Sequence, residues 1–366
     1  MRIIYVLTSL GVGGAERQVL ALATRMTARS HAVAILVLRP ELDEECPTSV
    51  EVVHLNMRRN PLSVLVGLWR ARRFVCEFGP DLVHSHSFHA NFIARILKVL
   101  VPSPVFVCTV HNVYEGGWAR MWAYRLSDGL SSRTTAVSST AAERFVRLKA
   151  VPQRKCMVLT NGIDTKEFAP DERRRIARRS AMGVASEFVW MSVGRVVPAK
   201  DFPNLLAAFR CVAFARPEAR LWIAGEATGQ ERSRLEHDLR EANVGHAEHV
   251  RWLGLRRDLA ALLDAADGFV LASAWEGMPL VIGEEMAMEK AIVATDVGGV
   301  SELLGTAGDL VSPRDAERLG AAMLATMDRP LEDRQRQGKA ARARVAELFN
   351  MDARADAWEA LYRAFC

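Results

Sequence analysis

No two of the six cysteines (Cys46, Cys76, Cys108, Cys156, Cys211 and Cys366) stand at CxxC spacing, which argues against a zinc ribbon and against a disulfide framework. Their scatter suits a reducing compartment. No stretch approaches the roughly 18 continuous apolar residues of a membrane-spanning helix. The short apolar run at the start, MRIIYVLTS, leads straight into a glycine-rich turn and is expected to be a first β-strand rather than a secretory leader. There is no low-complexity tract, no short-period repeat and no DxD triplet. No zinc-finger or RRM signature accompanies the net charge of +5, so a nucleotide or an anionic membrane surface fits the basic balance better than nucleic acid. The expected place of work is the cytoplasm, with a peripheral position on the cytoplasmic membrane face as a candidate.

What is present is ordinary for a folded chain: 366 residues, 50% hydrophobic and 25% charged, a length at which two domains are the default. Apolar runs alternate with helical patterns. IIYVLTS (3–9), AVAILVL (32–38), DLVHSH (81–86), PVFVCTV (104–110) and RTTAVS (133–138) read as strands, and Ala15, Val19, Leu22 and Met26 fall on one helix face. FVWMSVG (188–194), ARLWIAG (219–225), HVRWLG (249–254), GFVLAS (268–273) and AIVATD (291–296) form a second series. Each βαβ succession implies a parallel sheet covered on both faces. The fold class is therefore α/β, with two doubly wound, Rossmann-like domains over 1–165 and 166–345, a C-terminal helix over 346–366, and ligands expected in the cleft between the domains. The segment NGIDTKEFAPDERRRIARRS, dense in charge, reads as the connection.

Three segments carry chemistry. LGVGGAERQVL comes off the first strand and opens a helix, but Glu16 is bulky and charged where a dinucleotide fingerprint ends in a small residue, which disfavours a nicotinamide dehydrogenase. Such a turn either approaches a phosphate or sugar through backbone N–H groups or is a tight βα turn without a ligand. In SVGRVVPAKDFPNLLAAF, Gly194 ends a strand, Arg195 and Lys200 follow, and Pro203 suits a first helical turn, so two cations and a helix N-terminus converge as a diphosphate would require. In AWEGMPLVIGEEMA, Pro279 starts a helix, placing Glu276 in the preceding loop and Glu284 about a turn and a half in, with the apolar residues facing the core and Glu285 as a solvated neighbour. Ionised carboxylates are acceptors suited to paired sugar hydroxyls. His111, at a strand end, reads either as a reacting-site residue or as hydrogen-bonded scaffold. His84, His86 and His89 lack an acidic or cysteine partner for a metal.

Together these residues resemble glycosyltransferase family 4, the retaining transferases of GT-B architecture. Glu276, seven residues, Glu284 is similar to the family's Glu-x7-Glu signature. GGAER (13–17), VHSHSFHANFIAR (83–95), TVHN (109–112), AVSST (136–140), TNGID (160–164), VGR with Lys200, IAGE (223–226), WLG (252–254) and VGGVSELL (297–304) extend the match along the chain. The resemblance implies transfer, with retention, of a hexose or N-acetylhexosamine from a UDP- or GDP-sugar. This nucleotide-diphosphate sugar is a co-substrate, with no separate cofactor and no metal. The resemblance makes Arg195 and Lys200 the diphosphate pair and Glu284 the holder of ribose hydroxyls. Glu276 and the backbone of Gly277, Met278, Pro279 and Leu280 would lie beside sugar and phosphate. It adds Gly225 and Glu226 to the donor site, Gly13 and Gly14 as the closing loop, and His111 near the reacting sugar. The acceptor it implies is a saccharide or a polyprenyl- or lipid-linked saccharide in surface polysaccharide or lipopolysaccharide assembly. Interleaved Leu65, Leu68, Trp69 and Val75 with Arg70, Arg72 and Arg73, and Trp118, Trp122 and Tyr124 with Arg120 and Arg125, read as a membrane-facing surface or as a sheet-covering helix with a basic outer face plus an ordinary acceptor-side loop. A sugar-nucleotide epimerase of the same architecture and a silent sugar-nucleotide-binding subunit are the competing readings.

Overall fold

A computed structural model describes residues 1–11, 13–39, 50–101, 104–242 and 249–366. The chain forms two compact units, one of Met1–Gly162 with Met351–Cys366 and one of Ile163–Asn350. Cys46 lies outside the described residues, and the other five cysteines are free thiols.

The first unit carries strands β1 (Arg2–Leu7), β2 (Ala32–Val37), β3 (Glu51–His54), β4 (Leu82–His86), β5 (Val105–Val110), β6 (Arg133–Ala136) and β7 (Cys156–Val158) in the order β3-β2-β1-β4-β5-β6-β7. Its helices are α1 (Gly14–Ala28), α2 (Pro61–Phe78), α3 (Ser87–Leu100), α4 (Trp118–Ser127) and α5 (Ser139–Arg147). Ile3, Tyr5 and Leu7 of β1 pack into one core, and Ile4 and Val6 into another on the opposite face. This two-sided burial is why the strand reads as a continuous apolar run rather than an alternating one.

The second unit contains α6 (Glu172–Met182), α7 (Phe202–Ala215), α8 (Gly229–Ala242), α9 (Leu259–Ala265), α10 (Leu280–Ala287), α11 (Val300–Leu304), α12 (Ala316–Asp328) and α13 (Leu331–Leu348). Its strands β8 (Phe188–Val193), β9 (Ala219–Ala224), β10 (Val250–Gly254), β11 (Gly268–Leu271), β12 (Ala291–Thr295) and β13 (Asp309–Val311) run in the order β10-β9-β8-β11-β12-β13. All described pairings in both sheets are parallel. Each sheet reverses direction beside its first strand, between β1 and β4 and between β8 and β11, where the carboxyl ends leave room for ligands.

The last helix, α14 (Met351–Arg363), belongs to the first unit, where Trp358 and Tyr362 join the core of Ile3, Tyr5 and Leu7. Arg25 meets Asp352 at 2.6 Å and Arg29 meets Glu359 at 2.9 Å, pinning α14 to α1. The charged stretch read as a connection contains the boundary between the units, at Gly162 and Ile163, and its arginine-rich end is α6 of the second unit. Arg174 bonds Asp264, Arg175 and Arg179 bond Asp267, and Arg178 bonds Asp258, so this part of the basic cluster is neutralised within the fold rather than held out to an anionic partner.

Candidate functional site

In the second unit the site is built at the carboxyl ends of β8 and β11. Gly194 follows β8, and its N–H donates to the Ala224 carbonyl at 2.9 Å. A Cβ at Gly225 would lie 1.9 Å from the Gly194 carbonyl oxygen, so only glycine lets these two strand ends approach. The chain then turns through Pro198–Lys200, and Asp201 takes a left-handed conformation (φ 47°) that redirects it into α7. Lys200 is thereby swung back over Gly194, where a Cβ would stand 2.8 Å from Lys200 Cε.

After β11 the loop crosses toward this turn, with Ala274 N–H donating to the Ala199 carbonyl at 2.8 Å. Lys200 Nζ donates to Glu276 Oε1 at 2.6 Å, and the Ser273 hydroxyl donates to the same oxygen at 2.7 Å. A carboxylate held by a cation and a hydroxyl is fixed in direction and has lone pairs left for further donors. Lys200 keeps N–H donors beyond the one committed to Glu276. Arg195 is exposed and makes no hydrogen bond or ion pair among the described residues.

The segment 276–280 is clamped from the next strand. Thr295 Oγ1 donates to the Ser273 carbonyl at 2.7 Å, and Gly299 N–H donates to the Gly277 carbonyl at 2.7 Å. Gly298 (φ +58°) stands so close that a Cβ would lie 2.0 Å from the Glu276 carbonyl oxygen. Gly277, Met278, Pro279 and Leu280 are all buried. Pro279 caps α10, as expected for a ring that has no N–H to leave unsatisfied.

The expectation for α10 itself is corrected. Its eight residues are buried on every side, not on one core-facing stripe, and Glu284 is 4% exposed. Glu285 is no solvated neighbour. It is 0% exposed, neither of its carboxyl oxygens has a hydrogen-bond partner among the described residues, and burial holds its pKa well above the usual carboxylate range. The adjacent Lys290 donates to the Asp264 and Ala266 carbonyls, and burial lowers its pKa to about 8. Glu226 is half-buried and its carbonyl accepts from Val196 N–H at 2.8 Å.

In the first unit, Gly13 caps α1 and Gly14 is its first residue. The Glu16 carboxylate folds back so far that a Cβ on Gly13 would sit 2.4 Å from Glu16 Oε2. The positive end of α1 is thus answered by its own side chain. His111 follows β5. Its Nε2 lies 2.9 Å from Nδ1 of His86, the last residue of β4, and its backbone N–H donates to Glu115 Oε1 at 3.0 Å. Glu115 also accepts from the Tyr124 hydroxyl at 2.6 Å, and burial raises its pKa to about 7. His84 is engaged elsewhere, with its nitrogens 2.7 Å from the Tyr362 hydroxyl and 2.7 Å from Thr109 Oγ1. Ser273, Glu115 and the His86–His111 contact were not singled out from sequence. Only the last had a signal there, in the pairing of two strand-end histidines.

Residues 12–167 match the family model described as Glycosyltransferase Family 4, and residues 187–329 the one described as Glycosyl transferases group 1. A lipopolysaccharide core biosynthesis mannosyltransferase, LpsB of Rhizobium meliloti, is 32% identical over 90% of this chain and 88% of its own. The chain belongs to glycosyltransferase family 4. A glycogen synthase of Mycobacterium tuberculosis is 28% identical over 96% of this chain and 91% of its own, so relatives of comparable similarity differ widely in what they glycosylate. Among solved structures, Anabaena Alr3699/HepE in complex with UDP and glucose superposes with a TM-score of 0.87 at 20% identity, covering 100% of both chains. The glycosyltransferase is accordingly of GT-B fold, with two Rossmann-like units. Among the described residues no helix is long and apolar enough to cross a membrane.

Proposed function

We propose that this glycosyltransferase moves a hexose or N-acetylhexosamine from a UDP- or GDP-sugar to a saccharide or lipid-linked saccharide acceptor, with retention of anomeric configuration and without a metal. The observation that carries the donor assignment is the Lys200–Glu276–Ser273 cluster beside the unpaired Arg195 at the reversal point of the second sheet. As the glycosidic bond breaks, negative charge grows on the departing nucleoside diphosphate. Lys200 and Arg195, together with the N-terminus of α7, answer that charge in a partly dehydrated site, which is where preorganised electrostatics act most strongly. Glu276, oriented by Lys200 and Ser273, accepts from sugar hydroxyls. Glu284 holds the ribose, and the backbone from Gly277 to Leu280 lines sugar and phosphate, with Gly225 and Glu226 alongside. His111 and the Gly13–Gly14 turn at the start of α1 are the first unit's candidates for contact with the sugar. Retention follows from front-face attack through an oxocarbenium-like state, with no carboxylate acting as covalent nucleophile. A trapped glycosyl-enzyme adduct would refute that route.

The acceptor reading rests on the surface of the first unit and on the lipopolysaccharide-core relative. On α2, Leu62, Leu65, Val66 and Trp69 are exposed at i, i+3, i+4 and i+7, with Arg58, Arg59, Arg70, Arg72 and Arg73 exposed around them. Leu68 and Val75, expected in the same surface, are buried in the core instead. On α4, Trp118, Trp122 and Leu126 form a second exposed stripe with Arg125 over the Trp122 ring. Apolar stripes rimmed by arginine suit the interface of an anionic bilayer at the cytoplasmic face. Flotation with anionic vesicles at low salt, weakening as salt rises, is expected. No binding at low salt would remove this part of the reading.

The first experiment incubates the purified protein with UDP-, GDP- and ADP-sugars and extracted membrane lipids, with and without EDTA. Nucleoside diphosphate release from a UDP- or GDP-sugar that needs lipid, survives EDTA and is lost in Lys200→Ala and Glu276→Ala supports the proposal. Measurable nucleotide binding with no release from any donor would overturn it in favour of an epimerase or a silent binding subunit.

A further inference from the structure

We propose that His86 is a positioning residue that fixes His111 as its Nδ1–H tautomer, so that His111 meets the reacting sugar as a neutral hydrogen-bond donor and not as a base. The inference rests on the reading that His111 faces substrate, and adds to it which nitrogen does so and in what form.

One proton lies between His86 Nδ1 and His111 Nε2, 2.9 Å apart. The rest of the His86 environment decides who owns it. His86 is 2% exposed and its Nε2 is buried without a partner among the described residues. His84, whose ring centroid is 4.0 Å from that of His86, cannot supply one, because both its nitrogens are engaged by Tyr362 and Thr109. If His86 accepted the proton at Nδ1, its own N–H would be stranded at Nε2, and a buried donor without an acceptor is the rarer and costlier arrangement. His86 therefore donates from Nδ1 and leaves a bare lone pair at Nε2.

The consequence passes to His111. Its Nε2 accepts, so a neutral ring must carry its hydrogen on Nδ1. That nitrogen makes no hydrogen bond among the described residues. Both rings stay neutral: burial lowers His86 far below the usual histidine range and His111 to about 4. The titratable groups around them are His84, Tyr5 and Tyr362 on one side and Glu115 on the other, the last holding the His111 backbone through its N–H at 3.0 Å. Ser87, in a left-handed conformation (φ 68°), turns the chain directly from β4 into α3 and keeps His86 at the strand end with no intervening loop.

The test has two arms. On the intact protein labelled with ¹⁵N-histidine, His111 and His86 are assigned by loss of signals in His111→Ala and His86→Asn. The expected result is a pyrrole-type, proton-bearing Nδ1 and a bare Nε2 for both rings from pH 5.5 to 8. A proton on His111 Nε2, or titration of His111 within that range, overturns the proposal. In the nucleotide-sugar panel, His86→Leu is expected to lower kcat by about 10- to 100-fold with little change in KM. His86→Asn, whose amide N–H replaces the Nδ1 donor, should recover most of it. A full-rate His86→Leu beside an impaired His111→Ala overturns the positioning role alone. An unimpaired His111→Ala instead removes the reading that His111 meets substrate. If His86→Leu fails to fold, the tautomer of the unaltered protein still decides.

Discussion

Replacing Glu285 by methionine should make the second unit more stable, although it deletes a charged-type residue two-thirds of the way along a helix. Glu285 is fully buried and both its carboxyl oxygens lack hydrogen-bond partners among the described residues. Burial is the main force raising its pKa, the nearby Lys290 pulls it back, and Glu284 and Asp264 push it further up. An unsatisfied buried polar group costs about 1–3 kcal/mol. Methionine has nearly the same length, so the exchange removes that penalty without opening a cavity. For a unit of this size each kcal/mol moves the Tm by roughly 2–4 °C. The pH dependence carries a sign. The native acid keeps a proton that the unfolded chain releases, so its contribution is complete below the ordinary glutamate range of about 4.3 and is lost as pH rises toward the raised native value. The methionine variant has no such loss, and its advantage should be larger at pH 7 than at pH 5. Both values lie below about 8, where Lys290 titrates. Calorimetric melts of Glu285→Met beside the parent at these two pH values check this. An equal or lower Tm for the variant, or an advantage that shrinks from pH 5 to pH 7, would show that the carboxyl makes a contact worth more than its desolvation.

Lys200→Met should leave Glu276 held by Ser273 alone and lower kcat by about 10²- to 10³-fold, with weaker nucleoside diphosphate binding by calorimetry. Gly298→Ala introduces a Cβ 2.0 Å from the Glu276 carbonyl oxygen at a φ of +58°, so the loop must move. Its donor KM should rise at least about 10-fold, since small displacements of positioned groups are costly, while a wild-type KM would show that the loop geometry is unimportant. Glu115, raised to about 7 by burial, stabilises the first unit fully below the ordinary carboxylate range and loses that contribution as pH rises through about 7. Thermal melts from pH 5.5 to 8 should therefore fall more steeply for the parent than for Glu115→Gln.

The strands that sit inside the sheets were legible because burial on both faces writes itself as unbroken apolar runs, as in Ile3 to Leu7 and Phe188 to Val193. The edge strands β3, β7 and β13 were not, since they are short and only partly buried and so lack that signature. The helix at Pro279 and the strand-turn-helix placing of Arg195 and Lys200 are local patterns, and local patterns survive in the sequence.

What the sequence by itself determined is the order of elements and the chemistry available at their ends. Tertiary packing decided which of two adjacent acids, Glu284 and Glu285, is stranded without a partner, because their local sequence is the same and only the elements packed around α10 differ. It also decided that His86 meets His111, a contact set by the register that pairs His86 with Thr109 across β4 and β5. Contacts between residues tens of positions apart depend on strand order, and no periodicity along the chain encodes that.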